Sequence, residues 1–362
     1  MRTRLFLGSI IVTLLFILTA CALSPTPTVS PTATIAATPT ATPEPEKGLN
    51  FLVSSSGSVQ LKRRVWSAYQ PVAFGTTIRR GDLIRPSSGA EVTILCSDLT
   101  VHIIDQEDGS PCRVREPDLF WEGVRIVNPM AAPADFPYIL HPRKTQIVDA
   151  RPWLRWHDNG GSSYTVAIIQ GGEAIWQQSG VTGTELRYPN DAPLLEAGVN
   201  YLLEVINEDS GASSNQEPIK GLGFQLLPAE TASLVEQTQA EIRALPLDAG
   251  AQSFALAIYY AGQGLNGEAL ALLDEVAQTH NSPLVQLWRG HMFLATRLNE
   301  EAQEAYTEAM SLATTLGDIE TQAQAQTGLW RATNDESYFD AAILLYQQLG
   351  DEQTITDLQE EK

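Results

Sequence analysis

Ala257-Ile258-Tyr259-Tyr260, then Ala269-Leu270-Ala271-Leu272-Leu273 and Val276, is the stretch on which the reading of the C-terminal third turns. Ala257, Tyr260, Ala269, Leu273 and Val276 return thirty-three positions later as Gly290, Phe293, Ala302, Tyr306 and Ala309. A looser third copy runs through Gly328 or Leu329, Ala341, Leu345 and Gln348. Small residues let two helices approach, and large apolar residues fill the space beside the approach. A fixed period of this length therefore predicts stacked helix pairs that bury a continuous core, with residues 231–245 as a leading cap.

These positions resemble the tetratricopeptide repeat, in which a small residue, an aromatic, an alanine and a second large residue recur in this order. The match covers roughly the last third of the chain. It departs from the family in three places: the first copy lacks the usual tryptophan, the terminal proline is displaced to Pro283, and the second copy runs on to Leu316-Gly317-Asp318. The resemblance implies a helical solenoid over residues 228–362, of the kind that binds peptides or partner proteins on its concave face. A spacer without a ligand is the alternative. Residues 229–362 hold 21 acidic and five basic residues, so most of the net charge of −20 belongs here. A basic or polar partner fits that charge. Nucleic acid does not, because it needs a basic footprint.

Upstream, the period changes. Residues 48–129 contain short β-rich segments such as Val59-Gln60-Leu61, Val92-Thr93-Ile94-Leu95 and Val101-His102-Ile103-Ile104, separated by Gly75, Gly81-Asp82 and Ser88-Gly89. Short runs at this spacing predict an all-β unit. The order Gly57-Ser58-Val59, Trp66, Gly75, Arg80-Gly81-Asp82-Leu83-Ile84, Gly89-Ala90-Glu91-Val92 and Asp98-Leu99-Thr100 resembles the FecR-type extracytoplasmic domain. That family usually has glycine where Leu99 stands. The resemblance implies envelope sensing or a small binding module rather than catalysis. Lys62, Arg63, Arg64, Arg79 and Arg80 are candidate binding residues for an anionic glycan or polymer. Their alternative is a pair of solvated hairpin edges.

Residues 130–227 carry Pro152-Trp153-Leu154-Arg155-Trp156, Tyr164-Thr165-Val166, and Leu195-Glu196-Ala197-Gly198-Val199-Asn200-Tyr201. Tyr201, Leu203 and Val205 alternate with Leu202, Glu204 and Ile206, as a half-buried strand requires. These motifs resemble the immunoglobulin and fibronectin type III sandwiches. Trp153, Leu154 and Trp156 are expected in the core between the sheets, with carbohydrate stacking as the other role for the aromatics.

The first residues say where such a chain works. Arg2 and Arg4 precede an apolar run over residues 5–18, which ends in Leu18-Thr19-Ala20-Cys21. The layout is that of a secretory signal, and the run is short for a membrane span of roughly 20 residues. Leu18-Thr19-Ala20-Cys21 resembles the lipobox of bacterial lipoproteins. The resemblance implies that residues 1–20 are removed and that Cys21 is acylated, anchoring the chain in the lipid bilayer at the extracytoplasmic face of the cell membrane. An uncleaved anchor, or an ordinary signal with a chance cysteine, is the other reading. Residues 21–47 then form a linker of Pro, Thr, Ala and Ser, which favours extended polyproline geometry and cannot fill a core.

An exported chain with two further cysteines predicts a disulfide between Cys96 and Cys112, stapling a hairpin that turns at Asp108-Gly109. A metal or redox pair is the alternative, with only His102 close by. No catalytic fingerprint, metal-ligand spacing or cofactor motif is present in the sequence. The sequence therefore predicts a β + α chain: two small all-β domains, FecR-like and sandwich-like, followed by the helical solenoid. The function expected is a non-enzymatic adaptor that binds an envelope protein through its helices. An envelope sensor, or a binder of cell-wall glycan through the β domains, is the alternative.

Overall fold

The computed structural model describes residues 50–112, 135–219 and 221–362. The expected signal segment 1–20, the expected acylation site Cys21 and the expected linker 21–47 lie outside the described residues. Among the described residues, no helix is long and apolar enough to cross a membrane.

Seven strands open the fold: β1 (Phe51–Ser55), β2 (Val59–Lys62), β3 (Gln70–Val72), β4 (Leu83–Pro86), β5 (Val92–Leu95), β6 (Val101–Ile104) and β7 (Asp108–Gly109). They make two antiparallel sheets, β1-β5-β6 and β3-β2-β4-β7. Alternation explains which side each strand buries: Val59 and Leu61 point inward while Gln60 is exposed, and Ile84 is buried between exposed Leu83 and Arg85. Leu99 lies in the turn from β5 to β6 at φ 64°. That conformation normally favours glycine, because a Cβ is crowded there. Leu99 adopts it while its side chain packs on the cluster around Phe51 and Phe254.

Cys96 and Cys112 are joined, with an S–S distance of 1.98 Å. The bridge does not staple a hairpin, as the spacing suggested. β6 pairs with β5, whereas Asp108–Gly109 is not a free turn but a short strand on β4. The disulfide thus ties the end of the first sheet to the end of the second.

Eight strands follow: β8 (Ile139–His141), β9 (Thr145–Ile147), β10 (Trp153–Trp156), β11 (Tyr164–Gln170), β12 (Glu173–Val181), β13 (Glu185–Arg187), β14 (Asn200–Asn207) and β15 (Phe224–Leu226). The sheets β13-β10-β8 and β12-β11-β14-β15-β9 share a core of Leu154, Trp156, Val166, Ile168, Tyr201, Leu203 and Phe224. The Tyr201 hydroxyl accepts the Glu196 N–H at 2.8 Å, which fixes the entry into β14. Trp153 departs from expectation. Strand alternation that buries Leu154 and Trp156 turns Trp153 outward, 42% exposed, between the guanidiniums of Arg155 and Arg187.

Eight α-helices complete the described residues: α1 (Ala229–Arg243), α2 (Ala249–Gly262), α3 (Asn266–Thr279), α4 (Pro283–Ala295), α5 (Asn299–Leu316), α6 (Ile319–Thr333), α7 (Glu336–Leu349) and α8 (Glu352–Glu361). Asp248, Ser282, Asp318, Asp335 and Asp351 cap helix starts with their side chains, satisfying amides that no helical carbonyl reaches. Ala257, Ala269, Leu273, Ala302, Tyr306 and Ala309 are fully buried. Gly290 and Gly328 leave room for the Tyr306 ring, since a Cβ at either position would overlap it. The third copy sits one residue out of the expected phase: Ala342, Tyr346 and Leu349 are buried, rather than Ala341, Leu345 and Gln348. The run from Phe339 to Tyr346 is apolar on most of its circumference, so its pattern does not set the phase.

β strands followed by helices match the expected order, but the cores do not separate at residue 228. Phe51, Val53 and Leu95 share one cluster with Phe254, Ala257 and Leu273. Leu61, Trp66 and Cys112 share another with Trp330, Tyr346 and Ile355. All described residues belong to one compact unit.

Candidate functional site

The helices present two edges, and a β region covers each. On the first, Phe74 packs on Phe254 and stacks on His280, and the Ser282 hydroxyl donates to the Phe74 carbonyl at 2.8 Å. On the second, the turns α2–α3 and α4–α5 meet the sandwich. There Gln146 N–H donates to the Gly264 carbonyl at 2.9 Å, and the Tyr138 hydroxyl donates to Glu301 at 2.8 Å.

Arg143 organises the second edge. It is buried and paired with Glu217, Nη1 to Oε2 at 2.7 Å. Its Nε donates to the Thr296 carbonyl at 2.7 Å, and its Nη2 to the Arg297 carbonyl at 3.2 Å. A guanidinium at the C-terminal end of α4 meets helix-end carbonyls and the negative end of the helix dipole.

Arg63 organises the first edge. Its Nη1 donates to Asp82 at 2.7 Å, while Nε and Nη2 reach Glu320 at 2.6 and 2.5 Å. Glu320 lies in the first turn of α6, where a carboxylate suits the helix dipole. Burial works to raise its pKa, but the Arg63 and Arg79 guanidiniums prevail and hold it below the usual carboxylate range. Asp82 is pushed up, mainly by burial, despite Arg63.

Beside this pair a cleft of about 380 Å³ opens among α4, α6, α7 and α8, with Arg79 from the β region on its wall. Arg79 reaches Glu320 at 3.2 Å, and Arg331 pairs with Glu361 through two bonds of 2.8 and 2.5 Å. His291, in contact with the Tyr306 hydroxyl at 2.8 Å, lines the cleft. Burial drives its proton affinity far down, so the ring is neutral. Gln324 and Thr327 add amide and hydroxyl groups, while Asp351 and Asp357 add negative charge. The cleft thus offers hydrogen-bond donors and acceptors together with surplus carboxylate, which suits a polar segment bearing a cation. Among the described residues, no cluster of three metal-ligating side chains occurs.

The five basic residues singled out in the sequence do not form one surface. Arg63 is buried and bonded internally, Arg79 stands at the cleft, Lys62 is half-buried, and Arg64 and Arg80 are exposed. Sequence reasoning missed Glu320, Arg143, Glu217 and Arg331. Their partners are up to 257 residues away, and no local pattern distinguishes them from solvated charges. No family model matches this chain, and no curated protein matches its sequence.

Proposed function

We propose that this chain is a lipid-anchored protein of the extracytoplasmic face of the cell membrane, acting as a non-enzymatic adaptor for another envelope protein. On this reading Cys21 is acylated, residues 21–47 act as the tether, and the first sheets are a FecR-like unit. The sandwich is of immunoglobulin or fibronectin type III kind, and the helices are tetratricopeptide-like. The observation that carries the adaptor role is the polar cleft between α6 and α8, with surplus charge from Asp351 and Asp357. It supports a partner segment bearing lysine or arginine.

Two experiments test the reading. A photo-crosslinking residue in place of Gln324, in the full chain in its envelope, is expected to capture one protein, and an excess of lysine-rich peptide should suppress that capture. Crosslinking that the peptide leaves untouched would remove the cleft from the argument. Separately, Cys21→Ala is expected to shift the chain from the detergent phase to the aqueous phase. Unchanged partition would overturn the anchor.

A second reading, glycan binding through the β regions, is favoured by one observation: Trp153 stands exposed on the outer face of its sheet. Co-sedimentation with cell-wall glycan that Trp153→Ala abolishes would support it over the adaptor.

A further inference from the structure

We propose that the junction between the first β region and α6 is a pH-sensitive latch, tightest in mild acid and loosened as the solution approaches neutrality. Asp82 and Asp318 are each 2% exposed, Arg63 is equally buried, and Glu320 is nearly so. Arg79, partly exposed, completes the cluster. Among the described residues, three carboxyl groups therefore gather about two guanidiniums, and full ionisation leaves one more negative than positive charge in this buried cluster. Such a charge is costly, and a carboxyl group answers by holding its proton.

Geometry identifies which carboxyl group is surplus. Arg63 engages Asp82 and Glu320 directly, and Arg79 engages Glu320. Among the described residues, the Asp318 side chain is bonded only within its own turn: it accepts the Thr321 N–H at 3.0 Å and is 2.6 Å from the Thr321 hydroxyl. Those bonds suit an N-cap whether or not the second oxygen carries a proton. Burial raises the Asp318 pKa to about 6, with Glu320 adding in the same sense and the Thr321 bonds and Arg63 opposing. The nearby end of α5, Leu316 and Gly317, contributes no charge. Tyr346, Arg331 and Asp351 line the same cleft as Glu320.

The sign follows by linkage. Where docking raises a carboxyl pKa, docking is favoured below the undocked value and weakens until the pH passes the docked value. For Asp318 that window runs from 3.8 to about 6, and Asp82 acts in the same direction. Glu320, shifted downward, acts oppositely and only at lower pH. The change in docking amounts to a factor of about 100 for a shift of two pH units. Global stability would hide it, because half-buried His141 and buried His291 resist protonation and weaken the fold as pH falls.

A local measurement is therefore needed: hydrogen exchange of the full chain between pH 5.0 and 7.5, expressed as protection factors. Residues 164–170 of the sandwich core serve as the reference for global opening. Residues 59–86 and 317–331 are expected to lose about tenfold or more protection, relative to that reference, on going from pH 5.0 to 7.5. Asp318→Asn keeps an N-capping side chain and removes the titration, so it should retain the high protection at both values. Equal relative protection of the wild-type chain across the range would overturn the latch, even if the variant failed to fold. A variant that kept the wild-type pH response would also overturn it.

Discussion

The two edges of the helical layer use the same chemistry for different ends. At the sandwich edge, Arg143 and Glu217 come from the same β region, and the guanidinium reaches across to carbonyls at the end of α4. At the other edge, the acid belongs to α6 and the base to the β region, so the ion pair itself crosses the junction. Both arrangements complement a helix dipole, one at each pole. The Arg143 pair is balanced in charge, whereas the Arg63 cluster, among the described residues, holds one carboxyl group more than its guanidiniums. A balanced buried pair fixes geometry, and an unbalanced one also senses protons.

The strongest test of the comparison is to remove each guanidinium. Arg143→Met and Arg63→Met should each cost about 3–5 kcal/mol in urea denaturation at pH 7, because each strands buried carboxylates. A loss below about 1 kcal/mol at either position would mean that the edge is held by apolar packing alone.

A smaller effect sharpens the contrast. Changing carboxyl to amide at the two edges should give opposite signs. Glu217→Gln should lower stability by about 2 kcal/mol, as a charge-assisted pair becomes an ordinary hydrogen bond. Asp318→Asn should raise it slightly at pH 7.5. Equal signs would erase the distinction.

Glu268 adds a titrating group to the sandwich edge, in the first turn of α3. Its Oε2 is buried without a partner, and burial raises its pKa to about 7. A raised carboxyl pKa stabilises the fold at low pH, and that contribution is lost as pH rises from 4.5 through about 7. Glu268→Gln should therefore gain on the wild-type chain over this window, by about 1–2 kcal/mol at pH 8. On the same edge, His141 is pushed down to about 4 by burial, chiefly, and by Arg155, so its contribution runs the other way between 4 and 6.5. Wild-type thermal midpoints should thus be nearly flat from pH 5 to 6.5, and a steep slope would show that one group dominates. The smallest effect is expected at Leu99. Leu99→Gly relieves a left-handed backbone but gives up packing on the first edge, for a net change within about 1 kcal/mol.

What was legible in the sequence was local. The buried positions Ala269, Leu273, Ala302 and Tyr306 were legible because each lies on the apolar face of an amphipathic helix. Strand alternation at Tyr201, Leu203 and Val205 was visible for the same reason. The third copy was misphased where Ile343, Leu344 and Leu345 supply apolar groups in every direction. The two edges were illegible: Arg63 sits in a basic run that looks solvated, and only tertiary structure reveals Glu320 against it. Arg79 was singled out from sequence as a binding residue, but nothing local linked it to a cleft built by helices more than 200 residues downstream.

The pairing of Phe51 with Phe254, ring centroids 5.1 Å apart, has a consequence in time. At about 5–20 residues per second of synthesis, the chain takes at least 10 s to make the second ring after the first. Arg63 waits longer still for Glu320. The first β region therefore leaves the ribosome with one face exposed, and the folding of its outer side depends on the last helices made. Contacts of such long range are slow to form, so any truncation before α6 yields a chain whose early part has already been committed to a missing partner.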